Sequence, residues 1–350
     1  MRSRLICFVL LIVVTIYFPA RAQQTQAPND KGTATQAEKN QPAGNVNLPV
    51  SNENWKSPTD ITTGLEPHDP EIFQTDESPE FVRELVRLQW RASDYIDVWV
   101  VRPKVDGKVA KKSPVILYLY SYNDSDARFR DVEWCKRATA EGYAAVGFIS
   151  ALTDYRFKNR ALTKWFGSEL AESLGSTTHD VQLILNYLAR REDIDMGRIG
   201  MFGLGSGGTI AILAAHADPR ISAIDVLDPW GDWPDWVRNS SILTPQERPK
   251  FESAEFLQSV ATLDPVTYLP TLKTPTVRLQ QILSDPVTPN TAKSKIAAAA
   301  PVRATVVKYQ TDADLYKAWE ITGLSGWIKQ QLHAPEHNAS GENSATPMAK

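Results

Sequence analysis

Cysteine and histidine are scarce in this chain, and runs of basic charge are missing. Two cysteines, Cys7 and Cys135, cannot build a disulfide framework or a Cys-rich zinc site. The five histidines, His68, His179, His216, His333 and His337, contain no His-Glu-x-x-His pair, which excludes a zincin, and no other metal site is read. With a net charge of −3 and no dense run of Lys or Arg, the basic face of a nucleic-acid binder is missing. What remains is an ordinary globular balance, 42% hydrophobic and 23% charged, over 350 residues.

The two ends read as lying outside the folded domain. Arg2 and Arg4 precede an apolar run at 5–18, and Ala20-Arg21-Ala22 offers a cleavage signal; the run is short for a membrane span, so 1–22 reads as a secretory signal peptide. The expectation is a secreted or periplasmic protein without a stable membrane anchor. Residues 23–54 are rich in Gln, Asn, Thr, Ala, Gly and Pro, with few large apolar side chains, and read as a flexible linker; 334–350 read as a disordered tail. Residues 55–333 then make one large domain.

Within that domain, strand and helix patterns alternate. Residues 81–90 and 95–102 alternate apolar with polar and predict an antiparallel hairpin; 114–120 is a continuous apolar run, as a strand covered on both faces requires. Further strands are expected at 143–149, 198–202, 221–227, 276–283 and 303–309. Helices are expected at 128–141, 178–191 (capped by Thr177 or Thr178), 206–216, 246–260, 291–299 and 314–332. Such an order predicts an α/β, mostly parallel, doubly wound sheet with an antiparallel N-terminal hairpin.

The informative segment is 198–209, RIGMFGLGSGGT, between a strand and a helix. It supports the G-x-S-x-G nucleophile elbow, and also the dinucleotide turn G-x-G-x-x-G through Gly203, Gly205 and Gly208, with Asp228 placed for a ribose hydroxyl. A Rossmann turn follows the first strand of its domain, whereas several strands precede this one. Together with 180–188 (DVQLILNYL) and 285–289 (DPVTP), the region resembles the α/β-hydrolase superfamily, in its dienelactone-hydrolase, acetyl-xylan-esterase and prolyl-oligopeptidase-like branch. The resemblance implies ester, lactone or peptide-bond hydrolysis without a cofactor, on a small-molecule or carbohydrate-ester ligand.

Against that pattern, two pieces of the triad are out of place. Aligning Gly203 and Gly207 with the flanking glycines puts Gly205 at the nucleophile position and Ser206 after it, where its backbone N–H serves the oxyanion hole; the alternative register centres Ser206 but puts Leu204 where a small residue is needed. Asp285 is the best-placed acid, or else the cap of a turn. The loop 309–314, after the last strand, holds no histidine. His333 and His337 lie beyond the closing helix, roughly 30 Å of rise away, and His179 and His216 read as packing or surface residues.

Three readings stay open: an eroded, non-catalytic hydrolase; an active one using Ser206 with Asp285; and a dinucleotide binder. Ser121 and Tyr122, after the 114–120 strand, are candidates for the second oxyanion donor. Trp230, Trp233 and Trp236 form either a pocket rim or packing. The basic loop 150–167, with Arg156, Lys158, Arg160 and Lys164, reads as a solvated face, and Cys135 as a small buried residue.

Overall fold

The computed structural model describes residues 53–59, 65–91, 94–122, 124, 126–152, 156 and 170–333. The expected signal peptide, most of the linker and the C-terminal tail lie outside the described residues.

Ten strands form one sheet: β1 (Glu71–Glu77), β2 (Phe81–Arg91), β3 (Asp94–Val105), β4 (Lys108–Val109), β5 (Ser113–Leu119), β6 (Ala144–Phe148), β7 (Ile194–Leu204), β8 (Ile221–Leu227), β9 (Thr276–Ile282) and β10 (Thr305–Tyr309). Their order is β1-β2-β3-β6-β5-β7-β8-β9-β10, with β4 beside β3. Pairing is antiparallel from β1 through β3 to β6 and parallel from there to β10. The hairpin at 81–90 and 95–102 is present as β2 and β3; β1, whose side chains are mostly exposed, carries no alternation that the sequence could reveal.

Packing follows side-chain parity. In β5, Val115, Leu117 and Leu119 enter one core while Ile116, Tyr118 and Tyr120 enter the other. Successive strand residues point to opposite faces, so a run apolar at every position must be covered on both sides. The first core is closed by α2 (Leu170–Leu188) and α3 (Ser206–Ala217), the second by α1 (Val132–Thr139) and α8 (Gly326–His333). Between α3 and α8 the chain adds α4 (Trp233–Asn239), α5 (Ala254–Ala261), α6 (Asn290–Ala299) and α7 (Asp312–Thr322). The closing helix expected at 314–332 is thus two helices, and the one expected at 246–260 begins properly only at Ala254, where Ser253 caps it by accepting from Phe256 N at 3.2 Å.

Helix α2 differs most from expectation. Thr177 and Thr178 do not cap it; their hydroxyls donate to Ser173 O and Leu174 O, at 2.7 Å each, inside a helix that begins at Leu170. Ser173, Ser176, Thr177, Thr178, His179 and Asp180 are all fully buried. Part of the cover over this helix comes from Trp55, Ser57, Pro58 and Leu65. His179 Nε2 lies 2.7 Å from Ser57 O, Gln182 Nε2 donates to Pro58 O at 2.9 Å and Asn186 Nδ2 donates to Leu65 O at 2.9 Å. A Cβ on Gly175 would come within 2.0 Å of Trp55 O. Residues 175, 179, 182 and 186 form one helical stripe, so a polar face that resembles a solvated one in sequence is a receptor for main-chain carbonyls.

Where α2 meets the first strands, charges are buried in pairs. Arg91 bonds Glu53 and Asp180, and Arg156 bonds Asp180 at 2.8 Å and Asp94 at 2.9 and 3.0 Å. His179 Nδ1 faces Glu53 as well. Arg156 is 5% exposed, which corrects its expected place on a solvated basic face: its charge is consumed by two carboxylates. Glu53, read as linker, is likewise buried in an ion pair.

Burial alone would raise the Glu53 carboxyl, but hydrogen bonds and charge from Arg91 and His179 outweigh it and hold the group at about 2, against 4.5 ordinarily. A lowered folded value stabilises above the unfolded value and is lost as pH falls from 4.5 toward 2. We predict a loss of about 3 kcal/mol over that window, measured by chemical denaturation against pH, and a flatter acid limb in Glu53→Gln.

Candidate active site

At the junction of β7 and α3 the chain reverses within one residue. Gly205 caps α3 with φ 56° and ψ −120°, a conformation open to glycine and strained for any residue with a Cβ. Its N–H donates to Leu227 O at 2.9 Å and its carbonyl accepts from Thr209 N at 3.1 Å, tying the turn to β8 and to the helix. The flanks are tight: a Cβ on Gly203 would meet Gly207 O at 2.4 Å, and one on Gly207 would meet Leu119 O at 2.1 Å. The register with Gly205 at the apex is therefore the one adopted, and Ser206 is the first residue of the helix.

The Ser206 side chain does not face an opening. It is fully buried, and its Oγ accepts from Tyr122 N at 2.8 Å. One bond thus occupies two candidates: the Ser206 oxygen, and an amide expected to serve as second oxyanion donor. Ser121 crowds the apex instead. A Cβ on Gly205 would lie 2.4 Å from Ser121 Oγ, 2.9 Å from Ser121 Cβ and 3.2 Å from Trp230 Nε1. Gly208, the third glycine of the dinucleotide pattern, packs against Pro229 and Gly203.

On the acid side, Asp285 does cap a turn, accepting from Val287 N and Thr288 N at 3.2 Å each. Burial pushes its carboxyl up, against the pull of Lys293. Lys293, in α6 and only 1% exposed, donates to Ile282 O at 2.5 Å and Asp285 O at 2.7 Å, and its Nζ lies 3.8 Å from both Asp285 Oδ2 and Asp228 Oδ1. Asp228 has φ 45°; its carboxylate accepts from Ile282 N at 3.0 and 3.2 Å, and burial pushes it up to about 8 despite Lys293. An Asp228 so engaged is not free to hold a ribose, which removes the support for the dinucleotide reading.

Nothing in the sequence flagged Lys293, since a lysine in a short, alanine-rich helix reads as surface. For Asp228 the signal was its place before a proline at a strand end.

The expected position of a base is otherwise employed. After β10, Thr311 and Asp314 form a capping box for α7, with Thr311 N donating to Asp314 at 3.0 Å. Among the described residues no histidine bonds Ser206, Asp228 or Asp285: His179 faces Glu53 and Ser57 O, and His216 lies 4.7 Å from Tyr268 between ring centroids, its pKa lowered by burial and then by Lys273. Trp230, Trp233 and Trp236 are each 1% exposed, Trp230 and Trp236 with ring centroids 4.9 Å apart and Trp233 set edge-on to Trp236 at 5.7 Å. They are packing, not a rim, because large aromatics gain most when fully covered.

Two outcomes follow for stability, both read by equilibrium denaturation. Lys293→Met takes the shared cation from the buried Asp228 and the half-buried Asp285, leaves Ile282 O and Asp285 O without their lysine donor, and costs about 3 kcal/mol. Gly205→Ala costs about 2–4 kcal/mol through strain and overlap, and adding Ser121→Gly recovers the overlap share alone.

The whole arrangement has counterparts among known proteins. No curated protein matches the chain. Among solved structures, the acetyl xylan esterase from Paenibacillus sp. R4 superposes with a TM-score of 0.58 at 15% identity, over 76% of this chain and 89% of that one. Acetyl xylan esterase 1 from Thermoanaerobacterium sp. JW/SL YS485 gives 0.51 at 13%, over 77% and 92%. At such identities the likeness concerns the fold, which is that of the α/β hydrolases. The family profile of X-Pro dipeptidyl-peptidase (S15 family) matches residues 93–331, from the start of β3 into α8. On that match, over the sheet and turn just described, the chain belongs to the S15 peptidase family of the α/β-hydrolase superfamily.

Proposed function

We propose that this chain is a non-hydrolytic member of its family, one that keeps the hydrolase scaffold to bind a small acyl compound, a carbohydrate ester included, and does not cleave it by serine chemistry. The observation that carries the reading is the apex residue: Gly205 has the turn's backbone conformation and no side chain to act with. Supporting it, Ser206 Oγ is buried on the Tyr122 amide, Asp285 is engaged with its own turn and with Lys293, and the loop after β10 caps a helix. A serine nucleophile needs a base within hydrogen-bonding reach, itself oriented by a third group, and none of these contacts supplies one. The ligand class is carried over from the names of the structural neighbours.

The second reading, turnover through Ser206 with Asp285, requires the Tyr122 amide to release the hydroxyl and an unidentified base to arrive. We further propose export, on the strength of Arg2, Arg4, the apolar run and Ala20-Arg21-Ala22.

The test is a fluorophosphonate label with peptide mapping, beside turnover of p-nitrophenyl acetate and of an Xaa-Pro p-nitroanilide. The expected result is no label on Ser206 and rates within about twofold of those of Ser206→Ala and Asp285→Ala, where loss of a working triad member would cost about 10⁴-fold or more. Labelling of Ser206, or turnover abolished by Ser206→Ala in a folded protein, overturns the proposal. Export is checked by intact mass of the protein recovered outside the cytoplasm, with Gln23 expected as its first residue.

A further inference from the structure

The two edges of the sheet differ in how they are defended. A free edge strand offers unpaired backbone groups to any other strand, and proteins blunt such edges with charge, proline or bulges. At one edge, β1 carries Glu71, Asp76 and Glu77 within seven residues, and its pairing with β2 is interrupted by a bulge between Ile72 and Gln74. Antiparallel pairing of β1 with itself about Gln74 would set Glu71 against Glu77 twice, like charges directly opposed. The other edge is guarded far less. β10 reads Thr-Val-Val-Lys-Tyr over Thr305–Tyr309 and pairs with β9 in an unbroken register. Among the described residues no strand lies on its outer side. It carries one charge, Lys308, with Val306 39% exposed beside it and Val302 fully exposed just before the strand.

We propose that the β10 edge is an interaction surface for a second copy of this chain, joined antiparallel about a twofold axis at Val307 so that the two sheets become continuous. In that register Val307 meets its own copy and Thr305 meets Tyr309, residues suited to a strand, on the face these three share. On the opposite face, Val306 meets Lys308 of the other copy. No like charges are opposed, and the Lys308 stem covers the exposed valine. A twofold contact of this kind closes on itself, whereas joining the β10 edge of one molecule to the acidic β1 edge of the next would grow without end.

The register dictates a test by charge sign. Val306→Lys sets a lysine against Lys308 of the other copy twice in the dimer, while Val306→Glu sets an opposite charge there; both remove the same apolar side chain. Sedimentation equilibrium of the folded full chain across a micromolar concentration series is the measurement. The expected result is a dimer in the parent, weakened about tenfold by Val306→Lys and held or tightened by Val306→Glu, with the difference between the two shrinking at high salt. A parent that stays monomeric throughout, equal effects from the two variants, or open-ended growth with concentration each overturns the proposal. Because association is read and not activity, the outcome is independent of what the elbow does.

Discussion

Between β7 and α3 the backbone must turn through a conformation with φ 56°, while carbonyls of neighbouring segments close in on both flanks. That constraint organises the middle of the molecule. It requires glycine at 203 and 207, delivers the first residue of α3 to a fully buried place beside the β5 loop, and brings Leu227, at the end of β8, onto the Gly205 amide. In a serine hydrolase such strain presents a hydroxyl. Here the same turn presents a bare Cα, and the space a side chain would fill is taken by Ser121 from the adjacent loop. The scaffold's most demanding local geometry is kept although the group it would expose is absent.

Around this turn, polar contacts on the sheet act in stabilising roles. Arg91 and Arg156 neutralise Glu53, Asp94 and Asp180 where the first strands meet α2. Asp225 in β8 takes Arg278 at 2.5 and 2.8 Å and Gln280 at 2.9 Å from β9, and Trp327 of α8 covers the guanidinium at 4.8 Å. Lys293 bridges the ends of β8 and β9. Each buried charge has an opposite partner and further hydrogen bonds, the condition under which burying it is tolerable. Each such group is also unavailable for chemistry, since a carboxylate committed to a lysine or to main-chain amides orients no imidazole.

The parts legible in the sequence were those in which one residue type answers one local demand. The continuous apolar run of β5 announced two covered faces, and the spacing of Gly203, Gly205 and Gly207 located the turn and its apex. The absence of histidine from 309–314 was visible directly. What stayed hidden depended on partners distant in the chain. The polar stripe of α2 has no meaning without the carbonyls of 55, 57, 58 and 65, and its threonines read as a cap because the turn preceding them carries Ser and Gly and no large apolar residue but Leu174. Arg156 read as solvated because its partners, Asp94 and Asp180, are 62 and 24 residues away. Lys293 lies in a helix whose one large apolar side chain is Ile296, so a neighbouring lysine reads as surface, and β1 pairs through its backbone while its side chains remain mostly in water.

The central claim is that the one serine beside the apex is a structural hydroxyl, spent on the Tyr122 amide. Amide hydrogen exchange at Tyr122, followed by NMR in the parent and in Ser206→Ala, tests it most directly. The account predicts protection of about 100-fold or more in the parent, falling at least tenfold in the variant while neighbouring strand amides in β5 keep theirs. A Tyr122 amide that exchanges in the parent as freely as an open loop would show that the Ser206 hydroxyl is not held there, and would return it to the list of groups able to react.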